Sequence, residues 1–209
     1  MFSTLFSRSS RLLSLALILL VSGCSITPSD QSVNWPEQVQ ALKQVDNYTV
    51  RGKLGYINTQ PKEKFSLSLY WRQQQRDYQV RLTDFMGQTR LLLEVEGGTA
   101  TLIDDDDQTY VGTNAPALIW QLTGLQLPVD TLRDWLKGLP TDADDIVFDD
   151  KGRVAQLTKW HQGQHWTLVY HSYQDVVVDG QLYVLPLNLT LSHDTLKIKI
   201  AISEWQLDQ

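Results

Sequence analysis

The chain has a single cysteine, Cys24, among 209 residues. No intramolecular disulfide can form, so nothing covalent staples the fold. Also missing are a G-x-S-x-G elbow, an H-E-x-x-H pair and a phosphate-binding P-loop. These absences remove the common nucleophile, zinc and nucleotide arrangements. An enzyme is not expected, and hydrolysis stays open only because a triad can be assembled from residues far apart in sequence. Basic residues are few, 18 against 24 acidic, for a formal charge of −6. An acidic chain is a poor electrostatic match to nucleic acid, which is set aside as a partner. No apolar run reaches the roughly 20 residues a helix needs to span a bilayer.

The apolar run that is present, Leu12 to Val21, is 10 residues long and follows Arg8 and Arg11, with no acid before Cys24. That is the layout of a secretory signal peptide. Small residues at Ser22 and Gly23 lead directly into Cys24, the lipobox arrangement, in which the cysteine receives S-diacylglycerol and then an N-acyl chain. Residues 1–23 are therefore predicted to be a lipoprotein signal peptide, and lipidation accounts for a lone cysteine in an exported chain. No other cofactor is expected. Each buried methylene contributes about 0.8 kcal/mol and one chain alone anchors weakly, so several chains on Cys24 would hold the protein on a membrane. Residues 24–33, polar and containing Pro28, read as a lipidated tether, and 34–209 as one domain. Removal of the signal leaves 186 residues with 16 basic and 24 acidic groups, a charge of −8.

Asn34 and Glu37 have capping-box spacing ahead of a short amphipathic helix carrying Trp35, Val39 and Leu42. From Tyr48 the period becomes two: Tyr48 to Tyr56, Phe65 to Trp71, Tyr78 to Leu82 and Leu91 to Val95 each alternate apolar with polar residues. Gly97-Gly98 turns the chain into a strand around Leu102. The alternation stops at Thr113. Two short helices are predicted there, one capped by Asn114 and ended by Gly124, the other following Pro128, capped by Asp130 and ended by Gly138. Strands resume at Val154 to Trp160, Trp166 to Tyr170, Leu187 to Leu191 and Leu196 to Ile202. The fold class is mainly β, about 11 antiparallel strands curled over a core with the two helices inserted midway. Such a sheet is either filled by its own side chains or left hollow beneath the helices.

Candidate sites are few. His161 and His165 flank the Gln162-Gly163-Gln164 turn and would face each other on a hairpin, but no third ligand is near, and no metal site is predicted. Asp104 to Asp107 lack the alternating acids, glycine bend and distal glutamate of a calcium loop and read as a solvated tip. The seven tryptophans suit a core, with two or three left over for a ligand. The most informative segment is Asp84-Phe85-Met86-Gly87-Gln88. Hairpin connections are usually polar, and this one carries an aromatic and a thioether. Either Phe85 and Met86 fold back onto the core, or they form an exposed apolar tip that meets lipid.

Arg51-Gly52, Gly87, Thr123-Gly124, Leu127-Pro128, and Leu132-x-x-Trp135-Leu136-x-Gly138-Leu139-Pro140 together give a resemblance to the LolB family of outer-membrane lipoprotein receptors. It continues through Trp166 to Tyr170 with Tyr173, Leu185-Pro186, and the Lys197/Lys199 strand that closes at Trp205. It implies an incomplete antiparallel β-barrel with short helices forming a lid over an apolar cavity. It also implies a receptor that accepts acylated lipoproteins from the periplasmic carrier LolA and inserts them into the inner leaflet of the outer membrane. On that basis Leu54, Phe65, Leu69, Trp71 and Leu93 are expected to line an acyl-chain cavity, and Leu118, Leu122, Trp135 and Leu136 to form its lid. Phe85, Met86 and Gly87 would form the membrane-insertion loop, with Met86 where the family's Pro-Leu-Gly loop has leucine. Ser25, in place of the aspartate that commonly retains lipoproteins at the inner membrane, points to the outer membrane. The expected partners are LolA, acylated lipoproteins and outer-membrane phospholipid. The protein would be a lipid-anchored monomer facing the periplasm. A LolA-like soluble carrier is argued against by Cys24; a lipid-anchored binding module outside the sorting pathway is the alternative.

Overall fold

The structure, a computed structural model, describes residues 27–123 and 127–208; the signal peptide, Cys24 and Gly124 lie outside them. Helix α1 spans Trp35–Lys43. Six strands follow: β1 Asn47–Thr59, β2 Lys62–Gln74, β3 Asp77–Thr83, β4 Thr89–Glu96, β5 Thr99–Asp104 and β6 Thr109–Gly112. Helices α2 Ala115–Thr123 and α3 Val129–Leu136 come next, and then β7 Asp145–Phe148, β8 Val154–His161, β9 Gln164–Val178, β10 Gln181–His193 and β11 Leu196–Asp208.

All 11 strands join one antiparallel sheet in the order β6-β5-β4-β3-β2-β1-β11-β10-β9-β8-β7. The first and last strands of the first run, β1 and β6, are thus centre and edge, and β11 returns to pair with β1. The sheet is open: β6 and β7 are its two edges, four residues each. Short edge strands offer little backbone for pairing with another chain. Curvature comes from irregularities in the ladders. One lies at Arg51/Gly52, where β1 meets β11, and another at Pro186–Asn188 on β10; an extra residue on one strand bends it and increases its twist. Gly52 is needed at the first, since a Cβ there would lie 2.2 Å from the Ala201 carbonyl oxygen.

Helix α2 packs on the edge strand β6 and its neighbour β5, with α3 against it. Tyr48 and Tyr170, both buried on the sheet's inner face, donate their hydroxyls to the carbonyls of Arg133 at 2.6 Å and Trp135 at 2.7 Å, which holds α3 against the sheet. Lys137, buried just past α3, donates to the carbonyls of Val45 at 2.9 Å and Leu42 at 3.4 Å and pairs with Asp134. The ends of α1 and α3 are thereby tied together. Before α1, the Ser29 N–H donates to the Tyr173 carbonyl at 2.7 Å, the Val33 N–H to that of Lys151 at 2.8 Å, and Asp30 pairs with Lys151. The described part of the predicted tether therefore lies against the sheet.

Several local expectations change. Asn34 stands at the N-cap of α1, but its side-chain amide donates to the Glu37 carboxylate at 3.0 Å and makes no hydrogen bond to a backbone N–H. Pro128, not Asp130, is the N-cap of α3, and Asp130 lies in its first turn. Asn114 caps α2 as expected, accepting from the Ala117 N–H at 2.9 Å. His161 and His165 do not face each other: His161 pairs across the hairpin with Gln164, and His165 with Trp160. The two-residue Gln162-Gly163 turn fixes that register. The strands around Trp166 to Tyr170 and Leu187 to Leu191 lie within the much longer β9 and β10.

Candidate functional site: an apolar cavity and an exposed loop

Along β2, alternate residues share one face of the sheet. Exposure falls along that face from Glu63 and Phe65, both exposed, through Leu67 to buried Leu69 and Trp71. This gradient marks the wall of a cavity of about 810 Å³, open at the end of the sheet that carries Glu63. All five residues expected in the wall, Leu54, Phe65, Leu69, Trp71 and Leu93, line it. Register carries the same face onto the next strands. Trp71 pairs with Val80 and Leu69 with Leu82, and Val80 pairs with Leu93 and Leu82 with Leu91. Val80, Leu82 and Leu91 also line the cavity, although only their alternation in the sequence pointed to them.

The lid is built differently from the expectation. Leu122 lines the cavity, together with Ile119 on α2 and Val129 and Leu132 on α3. Among the described residues Leu118, Trp135 and Leu136 contribute nothing to the wall. Leu118 packs over Gly112 on β6. Trp135 and Leu136 are fully buried, with the Trp135 indole donating to the Thr141 carbonyl at 2.9 Å. The apolar side of α3 is long enough that its first turn faces the hollow while its last turn is embedded in solid core. Spacing in the sequence identifies the side but not where along it the void ends.

At the open end stands the 84–88 loop, and it has two counterparts. Asp84, Asp104 and Asp149 each begin a five-residue connection of the same construction. In each, the aspartate Oδ1 accepts from the backbone N–H groups two and four residues on, at 2.8 to 3.0 Å. The aspartate N–H donates to the carbonyl of the fifth residue, and the fourth residue has positive φ: Gly87 at 84°, Asp107 at 59°, Gly152 at 75°. The second carboxylate oxygen accepts from Arg90, Tyr110 or Arg153 respectively. Burial works to raise the Asp84 carboxyl, but the N–H groups of Gln88 and Met86 and the Arg90 guanidinium prevail and hold it below its ordinary value. Asp104 and Asp149 are lowered as well, Asp104 chiefly by the Gln108 N–H and Asp149 by Arg153 and nearby N–H groups acting against burial.

The second and third positions of these turns differ most in polarity. They are Asp105-Asp106, Asp150-Lys151 and Phe85-Met86. The turn itself therefore does not require apolar residues. Phe85 is 93% exposed and Met86 68% exposed, so the tip does not fold back onto the core. Phe85 also belongs to the cavity wall. Phe85 thus joins the protruding tip to the hollow.

Among the described residues no group of three or more potential ligands is placed to hold a metal, and no helix is long and apolar enough to cross a membrane. Cys24 lies outside these residues.

A similar fold is found in solved structures. One is a LolA superfamily protein from Nitrosomonas europaea, with a TM-score of 0.54 at 9% identity, covering 85% of this chain and 95% of that one. Another is a putative outer membrane lipoprotein-sorting protein domain from Vibrio parahaemolyticus, with a TM-score of 0.52 at 9% identity and coverage of 83% and 92%. These likenesses define the class of fold. Relatives in sequence are more specific. The chain is 40% identical to the outer-membrane lipoprotein LolB of Vibrio campbellii, covering 92% of this chain and 97% of the relative. It is 35% identical to that of Sodalis glossinidius, covering 94% and 96%. The family described as outer membrane lipoprotein LolB matches residues 46–205, and the chain belongs to that family.

Proposed function

We propose that this protein is an outer-membrane-anchored receptor that takes acylated lipoproteins from the periplasmic carrier LolA and inserts them into the inner leaflet of the outer membrane. The observation that carries the reading is the double placement of Phe85, in the cavity wall and on a tip exposed beside Met86. Phe85 gives an acyl chain leaving the hollow an apolar contact between the wall and the tip. Lipoprotein sorting also fits the family and the fold it shares with LolA superfamily proteins.

The parts have these roles. Cys24, carrying S-diacylglycerol and an N-acyl chain, tethers a monomer facing the periplasm, with residues 34–209 as its working domain. Leu54, Phe65, Leu69, Trp71 and Leu93 hold acyl chains. Leu122, with Ile119, Val129 and Leu132, closes the hollow, while Leu118, Trp135 and Leu136 brace the lid from behind. Phe85 and Met86 enter the membrane, and Gly87 provides the positive φ that points them outward.

No catalytic step is needed. Transfer from one apolar hollow to another, and then to a bilayer, exchanges one apolar surrounding for another, so a term of about 25 cal/mol per Å² nearly cancels at each step. Direction then requires only modest differences in affinity, tenfold for each ~1.4 kcal/mol. The test is to mix the mature chain carrying Cys24→Ala with LolA loaded with an acylated lipoprotein. Movement of cargo onto this protein is expected. Cargo that stays on the carrier while both proteins are folded would place this chain outside the sorting pathway, as a tethered binding module.

A further inference from the structure

The cavity's apolar depth ends in a charged rim. Among the described residues its wall carries four carboxylates, Glu63, Asp84, Asp104 and Asp105, and one cation, Arg90, for a formal charge of −3. All five lie at the open end. Asp84 and Asp104 begin their turns there, Arg90 is the second residue of β4, and Glu63 is the second of β2. Arg90 is already committed: its guanidinium bonds Asp84 and Asp105, each at 3.1 Å. Lys62 and Lys64, the neighbours of Glu63, project from the opposite face of the strand. A chain end entering the hollow therefore passes carboxylates with no free guanidinium on the rim to receive an anion.

This rim matters because the receptor works beside a bilayer. Membrane lipids have the same acyl chains as the cargo and outnumber it. Apolar complementarity cannot separate them, since a methylene contributes the same wherever it comes from. What differs is the other end of the chain. A lipidated cysteine presents thioether, ester and amide groups without charge. A fatty acid or an acidic phospholipid ends in an anion.

Resting on the acyl-cavity reading above, we propose that Glu63, Asp84, Asp104 and Asp105 form a charge filter, admitting acyl chains with an uncharged or cationic head and turning away those that end in an anion. Asp84 and Asp104 serve the turn and the filter together, because the N–H groups that fix the turn also keep their carboxylates ionised. Glu63 and Asp105 accept from no backbone N–H and are the separable members. Like-charge repulsion from a net −3, softened by water, corresponds to roughly tenfold exclusion at low ionic strength, and it shrinks as the screening length falls from about 30 Å at 0.01 M salt to about 3 Å at 1 M.

The test uses the mature lipidated protein in phosphatidylcholine vesicles that contain a photoreactive hexadecyl chain. The chain ends in a sulfate, a methyl ester or a trimethylammonium group. Crosslinks to peptides containing Trp71 and Leu93 are counted by mass spectrometry. The ester and ammonium probes are expected to label the cavity about tenfold more than the sulfate. The gap should close in the Glu63→Gln/Asp105→Asn variant and, without any substitution, in the native protein at high salt. Equal labelling by sulfate and ester in the native protein, or a gap indifferent to both salt and substitution, would overturn the filter. Failure of every probe to label the cavity would instead overturn the acyl-binding reading beneath it.

Discussion

Asp84 Oδ2 lies 3.1 Å from both Nε and Nη2 of Arg90, while Oδ1 of the same carboxylate accepts the Met86 and Gln88 N–H groups. One side chain thus orders the backbone of the exposed tip and fixes it to the next strand. Both guanidinium nitrogens converge on that one oxygen while the other holds the backbone, which explains how two apolar side chains can be held in water.

Because the tip is held by Asp84 and Gly87, its chemistry can be changed without changing the turn. Replacing Phe85-Met86 by the Asp150-Lys151 pair of the β7–β8 turn should leave stability within about 0.5 kcal/mol of the native value, as is usual for exposed sites. The same holds for Met86→Glu alone. Both variants should still accept cargo from LolA but fail to release it into vesicles. Thermal unfolding and a vesicle-insertion assay check the two halves, and unchanged insertion by Met86→Glu would remove the loop from the mechanism.

Gly52 is predicted to be intolerant. A methyl group 2.2 Å from the Ala201 carbonyl oxygen forces β1 and β11 apart at their bulge, and overpacking of this sort costs about 1–3 kcal/mol. Gly52→Ala should therefore lower the denaturation midpoint with little change in its slope. Gly55, where a Cβ would meet nothing closer than 3.8 Å, should accept alanine far more readily.

Trp135→Ala and Leu69→Ala separate solid core from cavity wall. Trp135 is fully enclosed and hydrogen-bonded to Thr141, so its loss should cost about 3–5 kcal/mol. Leu69 already faces a void, and its truncation should fall near the low end for leucine, about 2 kcal/mol. Chemical denaturation of the two variants checks the order; the reverse order would put Trp135 in the lid's inner surface.

Stability should fall at both ends of the pH range. Burial pushes the phenols of Tyr48, Tyr78, Tyr170 and Tyr173 above their ordinary value of 10. The unfolded chain releases these protons first, so stability is lost as pH rises past about 10. Lys137 acts in the opposite direction: burial lowers its amine from 10.5, which favours the folded state as pH rises toward that value, but it is one group against four. On the acid side Asp84, Asp104 and Asp149 lie below 3.8. They stabilise the fold above the ordinary carboxylate value, and this is lost as pH falls through their lowered folded values. Denaturant midpoints from pH 2 to 12 should trace a plateau with both edges.

The parts of the fold legible in the sequence are those where period two is long. From Tyr48 to Tyr56 and from Phe65 to Trp71 the inner residues are visible, because one face is apolar and the other polar, while the charged Glu63 on the same face is not. Edge strands β6 and β7 were not placed, being four residues long with no alternation to speak of. The spacing of His161 and His165 misleads because a two-residue turn offsets the register by one pair. At the site, the oddity of Phe85-Met86 was plain, but the reason it is tolerated was not. The kinship of Asp84, Asp104 and Asp149 lies in hydrogen bonds that three dissimilar pentapeptides share, and only the aspartate and the fifth-position side chain hint at it.

The two unpaired edges have a consequence for size. In a closed barrel the radius follows from strand number and shear, and backbone hydrogen bonds around the ring resist any change. Here the ring is interrupted between β6 and β7, and α2, with α3 against it, packs on β5 and β6 beside the interruption. Moving those helices outward breaks no strand pairing. The girth of the hollow, about 810 Å³ in volume, is accordingly set by its softest wall.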